Sequence, residues 1–112
     1  MTITFAQFYH LSPSDVEIIS VDYTDVLSST EELTGTPSVT AIAPNSTHLT
    51  FSNIALSSTV TVILGREVAT AKAMSFKVIG QQLTYSYRAR VSVTTTSSPA
   101  RTLLRDLTFD CV

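Results

Sequence analysis

The sequence predicts an all-β fold, a sandwich or barrel of short antiparallel strands, and three observations lead there. The 112 residues include 18 Thr and 15 Ser, yet 44% of the chain is hydrophobic and only 14% charged. Val, Ile, Leu and aromatic residues recur between the hydroxyls, which separates a sheet composition from a Pro-rich, apolar-poor stalk. From Leu83 to Val93, apolar and polar residues alternate with period two over eleven positions. Short apolar runs return at near-regular intervals between polar turns, the spacing of a sandwich or barrel.

The elements follow in chain order. Ile3 to Leu11 carries Phe5, Phe8 and Tyr9, too many aromatics for a free tail. Residues 1–11 are therefore expected as an extension that docks on a neighbouring subunit or pairs as an added strand, on its own core or another, ahead of a domain at 12–112. Val16–Tyr23 reads as a strand of mixed parity. Ser29-Thr30-Glu31-Glu32-Leu33 resembles a capped helical turn with acidic residues, which Gly35 and Pro37 stop at once. Ser38–Ile42, His48–Phe51 and Thr59–Leu64 are short strands, separated by Ala43-Pro44-Asn45-Ser46 and Leu56-Ser57-Ser58. Arg66–Met74 contains helix formers but suits a loop or strand equally. Ser75–Ile79 is a further strand.

In the alternating strand, Leu83, Tyr85, Tyr87, Ala89, Val91 and Val93 are expected on the core face. Thr94–Arg101, rich in Ser and Thr with Pro99, is a turn. In the last segment Leu103, Leu107, Phe109 and Cys111 share one parity, which Arg105 interrupts. The two segments form a C-terminal antiparallel hairpin.

Length and charge exclude several function classes. The chain suits one domain with a real core. Seven Lys+Arg against nine Asp+Glu, net charge −2, is no nucleic-acid footprint. No apolar run approaches the roughly 20 residues of a membrane-spanning helix. The first ten residues lack the basic and apolar regions of a secretory signal, so synthesis in a reducing cytoplasm is expected. One cysteine, Cys111, allows neither an internal disulfide nor a multi-Cys zinc site, and its place on an apolar face suggests a buried, inert thiol.

Chemistry is sparse. His10 and His48 lack the company of a general base or metal ligand and read as turn or surface residues. Asp15, Glu17, Asp22 and Asp25 are too thinly spaced for calcium, which takes about six to eight oxygens. Gly35, Gly65 and Gly80 lie too far apart to cradle a phosphate. There is no Gly-x-Ser-x-Gly elbow. Asn45-Ser46-Thr47 fits the glycosylation sequon but caps a turn as readily. No catalytic residue, cofactor or metal site is expected. Arg88 and Arg90 share the polar face of the long strand, and Arg101 and Arg105 flank the last hairpin. Their expected roles are edge protection or ion pairing with a partner subunit.

Tyr87-Arg88-Ala89-Arg90-Val91-Ser92-Val93-Thr94-Thr95-Thr96, a turn, then Arg101-Thr102-Leu103-Leu104-Arg105-Asp106-Leu107-Thr108-Phe109 resembles a hairpin of tailed bacteriophages. It is the Tyr-x-Val-x-Val-x-Val-Thr-Thr hairpin that ends small immunoglobulin-like virion proteins, the fiber–tail adaptor and head or tail accessory family. Pro13-x-Asp15, Val21-Asp22-Tyr23-x-Asp25-Val26-Leu27 and Glu31-Glu32-Leu33 before Val39-Thr40 are similar to that family's first strand, acidic turn and second strand. The chain departs from the pattern at Gly80-Gln81-Gln82, where a Gly-rich turn is usual, and at Ser98-Pro99, where Gly is common.

The resemblance implies an immunoglobulin-like antiparallel β-sandwich in a virion, made in the cytoplasm of a host bacterium. It implies an adaptor linking fibers or tail components to the head–tail region, or alternatively a capsid decoration protein at capsomer junctions. Partners would be other phage structural proteins and further copies of the chain in a symmetric assembly, with no nucleic acid or membrane. Phe5, Phe8, Tyr9, Arg88, Arg90, Arg101 and Arg105 are the expected contact residues. A carbohydrate- or receptor-binding module is the competing reading, through Tyr9, Tyr23, Tyr85 and Tyr87, although Trp is absent.

Overall fold

Sequence alternation becomes layered structure in the computed structural model, which describes residues 2–11, 15–42, 47–63 and 65–111, the first of these stretches by its backbone only. The strands are β1 (Thr2–Leu11), β2 (Glu17–Asp22), β3 (Leu33–Ile42), β4 (Thr50–Leu56), β5 (Thr61–Ile63), β6 (Arg66–Val68), β7 (Ala73–Ile79), β8 (Ser86–Thr95) and β9 (Thr102–Cys111). They form a β-sandwich. One sheet has the order β1-β9-β8-β3 and the facing sheet β2-β7-β4, while β5 and β6 make a separate hairpin. Every pairing is antiparallel except β1 with β9.

Period two sets which side chains meet. On β8, Tyr87, Ala89, Val91, Val93 and Thr95 are buried, and on β9 the buried parity is Leu103, Arg105, Leu107, Phe109 and Cys111. From the opposite sheet Ile19, Val21, Met74, Phe76 and Val78 complete one core cluster with Tyr23, Leu33 and Leu49. Each large apolar side chain fully buried there contributes roughly 1.5–3 kcal/mol. β2 is thus less mixed than its sequence suggests: Ile19 and Val21 face in, while Val16 and Ile18 are exposed.

Two segments differ from the sequence expectations, each for a backbone reason. Leu83 and Tyr85 are exposed, because Thr84 takes a positive φ of 70° and the strand begins only at Ser86. No helix forms at Ser29–Leu33. A single turn closes from Glu31 N–H to the Ser28 carbonyl at 3.1 Å, and the short 3-10 turn lies earlier, at Thr24–Val26. Gly35 and Pro37 do not end a helix; they lie within β3, where the register slips between Thr34 and Ser38. Arg66–Met74 divides into β6, a turn and the start of β7. Ala43–Ser46 and the Asn45 sequon fall outside the described residues.

Two tethers set how the sheets sit. β3 and β4 approach each other along one side of the sandwich. Toward the other side β9 faces β2: Arg105 Nη1 donates to the Asp22 carbonyl at 3.0 Å and its guanidinium stacks 4.5 Å from the Tyr23 ring centroid. The β5–β6 hairpin lies against the smaller sheet, leaving a cleft of about 250 Å³ whose lining includes Ser20, Ser58, Thr61 and Ser75.

Gly80, between β7 and the turn into β8, is held at φ +96°, and a Cβ there would meet the His48 carbonyl oxygen at 2.0 Å. Both the backbone conformation and the contact exclude a side chain. Gly80→Ala should therefore lower stability by about 2–4 kcal/mol in urea denaturation, well above the effect at Gly65, where a Cβ meets nothing within 4 Å.

Candidate functional site

The outer face of the larger sheet gathers the polar parity of its central strands. Arg88, Arg90 and Ser92 of β8 stand beside Ser38, Thr40 and Ile42 of β3, and together they line a shallow depression of about 380 Å³. Register puts Arg90 opposite Asp106 of β9, and the pair is bidentate, with Nε to Oδ1 at 2.7 Å and Nη2 to Oδ2 at 3.0 Å. The Arg90 hydrogen bond holds the Asp106 carboxyl below the usual range, with the nearby charge of Arg88 adding to it, and raises Arg90 in return. At the end of the same ladder Ser86 donates to Asp110 at 2.9 Å. Arg88, opposite Thr108 and Ile42, is exposed and makes no ion pair among the described residues. This surface can dock a partner that offers hydroxyl or carboxylate acceptors.

The other expected contact residues are placed differently. β8 lies between β9 and β3, so Arg88 and Arg90 protect no sheet edge. Arg101 and Arg105 are both bonded to groups of the chain itself. Arg105, only 7% exposed, bridges to β2. Arg101 donates from Nε to Glu31 Oε2 at 3.0 Å, from Nη2 to Glu31 Oε1, and from Nη2 to the Val26 carbonyl at 2.8 Å. Of Phe5, Phe8 and Tyr9 the backbone register alone is described: they stand opposite Arg105, Thr108 and Phe109. Their side chains lie outside the described residues, as does that of His10.

The Glu31–Arg101 pair is the contact sequence reasoning missed. Its partners are 70 positions apart, and nothing in either neighbourhood marks them for each other. Glu31 is 5% exposed and also accepts from the Ser28 amide at 3.1 Å. The Arg101 hydrogen bond dominates, against the opposing effect of burial, and moves the Glu31 carboxyl from 4.5 to about 2. A depression of about 520 Å³ opens beside the pair, lined by Asp25, Leu27, Ser28, Ser97 and Pro99 among others.

Remaining polar groups are spent on local geometry. Asp22 Oδ1 accepts from Thr24 N at 2.8 Å and from its hydroxyl at 2.6 Å, and Asp25 pairs with Arg66 at 3.2 Å. Among the described residues no three His, Cys, Asp or Glu side chains are grouped to hold a metal ion. His48 Nδ1 lies 2.8 Å from the Tyr87 hydroxyl, which also accepts the Gln82 amide proton at 2.8 Å, and its ring meets Tyr85 edge-on at 4.9 Å. Burial, with some help from the charge of Glu17, pushes the Cys111 thiol up, so its reactive thiolate is disfavoured.

Because Glu31 is depressed in the folded state, its contribution is complete above pH 4.5 and is lost as pH falls toward 2. Acid titration of stability should show this loss in the native chain. Glu31→Gln should flatten that window and cost on the order of 3 kcal/mol at neutral pH.

No protein-family model and no curated protein matches this chain.

Proposed function

We propose that the chain is a structural protein of a tailed-bacteriophage virion, an adaptor that links fibers or tail components to the head–tail region through protein–protein contacts. The observation that carries this reading is the outer face of the larger sheet. Around one internally paired arginine, Arg90, and one available arginine, Arg88, it presents mainly hydroxyls. Such a surface suits extended contact with another protein, since burying uncharged hydroxyls costs less desolvation than burying ion pairs.

The immunoglobulin-like character belongs to the same proposal and has two supports. β2, β7 and β4 take the order of strands B, E and D of an immunoglobulin constant domain, and β3, β8 and β9 that of C, F and G. Tyr87 enters β8 from the preceding corner, and its hydroxyl accepts the amide proton of Gln82, five residues upstream, in the manner of a tyrosine corner. These support the similarity already visible in the Tyr87–Phe109 hairpin. Removing that hydroxyl by Tyr87→Phe should cost about 1–3 kcal/mol in chemical denaturation, because the Gln82 amide loses its acceptor.

The functional test is particle content. Quantitative gel densitometry of purified phage particles encoding the chain should find it at a fixed, ring-like low copy number. Hundreds of copies would assign it to capsid decoration instead. Absence from the particle, or glycan binding by the isolated chain tighter than millimolar, would overturn the virion reading.

A further inference from the structure

The two sheets are unequal, four strands over three, and the odd strand is β1. β9 lies over β2: Arg105 reaches the Asp22 carbonyl at one end, and at the other the turn before β8 holds both strands, Gln81 donating to the Asp15 carbonyl at 2.7 Å and the Thr84 amide to the Cys111 carbonyl at 2.8 Å. β2 is the edge of its sheet, and β1 lies beyond β9 in the other. The larger sheet therefore overhangs the smaller by one strand, leaving a step beneath β1 and beside β2.

We infer that this step is an interface between two copies of the chain, in which β1 of each copy adds to the edge of β2 of the other. A step of this shape is complementary to itself. A twofold axis along the strands, midway between the layers, exchanges the two layers and sets each overhang into the other's recess. The strand directions agree. Arg105 bonds Asp22 at one end, and at the other the Gln81–Thr84 turn bonds both Asp15, just before β2, and Cys111; β2 therefore runs opposite to β9, and β1 is parallel to β9. Because the axis preserves strand direction, β1 meets the partner's β2 antiparallel, with both core faces on the same side. Each layer becomes one continuous sheet, four strands from one copy and three from the other.

The edges carry the expected chemistry. Thr2–Leu11 contains no Asp, Glu, Lys, Arg, Pro or Gly, so the sequence places no gatekeeper on a ten-residue edge strand. On the outer parity of the β2 edge, Val16 and Ile18 are 62% and 66% exposed. The acidic residues of β2, Glu17 and Asp22, would meet no like charge on β1. The far side of the sandwich contrasts with this, because β3 and β4 close on each other there and both carry register shifts that spoil added pairing. The inference stands on the sheets alone and goes beyond the virion reading: a monomer would end it while leaving particle content to decide the other.

Analytical ultracentrifugation of the full chain should show a dimer at about 100 μM. Ile18→Lys, an exposed substitution whose fold is checked by circular dichroism, should weaken it at least about tenfold, the step expected for 1.4 kcal/mol. Thr50→Lys, on exposed β4, should not. Hydrogen exchange at residues 2–11 and 17–22 should slow as concentration rises through the transition. A chain monomeric at that concentration would overturn the inference, as would a dimer that Ile18→Lys leaves unchanged.

Discussion

β3 and β1 have no hydrogen-bonded neighbour in the larger sheet except β8 and β9, so the ladder between those two ten-residue strands holds the sheet together. The constraint is one of parity. Ala89, Val91 and Val93 must face in with Leu103, Leu107 and Phe109, and a slip of one residue would turn all of them to solvent. Register fixed in this way also decides the polar face, because it puts Arg90 opposite Asp106. It places Arg105 among the buried positions as well, where it tethers the ladder to β2. Core, candidate contact face and inter-sheet tether are consequences of a single alignment.

Legibility in the sequence followed the range of the interactions. Alternation is local, so β8, β9 and most of β2 and β7 could be read directly. Glycine and proline were harder, since Gly35 and Pro37 break a helix and bulge a strand for the same reasons, and only β8 alongside decides between them. Arg88 and Arg90 share the polar face as alternation predicts; of their two expected roles, edge protection falls because β8 is a central strand, and strand order is not a local property. Arg105 already stood at a buried parity in the sequence. An arginine there requires an internal acceptor, and the Asp22 carbonyl supplies it. Arg101 gave no such sign, as its partner Glu31 lies 70 positions away, in a turn that only the tertiary fold brings beside the β8–β9 connection.

The Glu31–Arg101 pair and the outer Arg90–Asp106 pair show how one ion-pair chemistry does different work at different depths. Arg90 and Asp106 are solvated, so their pairing fixes side-chain direction more than it stabilises the fold. Glu31 is almost wholly enclosed and would be costly without Arg101. The pair therefore makes the connection before β3 and the connection between β8 and β9 depend on each other. Both connections lie at one end of the sandwich, next to the depression formed by Leu27, Ser97 and Pro99. That end is braced from within, while Arg88 is left on the sheet face with its charge available.

Hydroxyl-rich faces and an uncharged edge strand have opposite consequences for a protein that must stay apart from its neighbours. Serine and threonine on a sheet face remain hydrated at little cost and give up that hydration cheaply when another surface covers them. A strand edge without charge, proline or bulge carries a stronger bias, since its backbone groups can pair with any compatible strand. With 14% charged residues the chain has little general repulsion to hold copies apart, and its net charge of −2 adds little more. Specificity of association must then come from shape. A one-strand step would supply it, because it would accept one strand direction and close after two copies, whereas a flush edge would let pairing continue without limit.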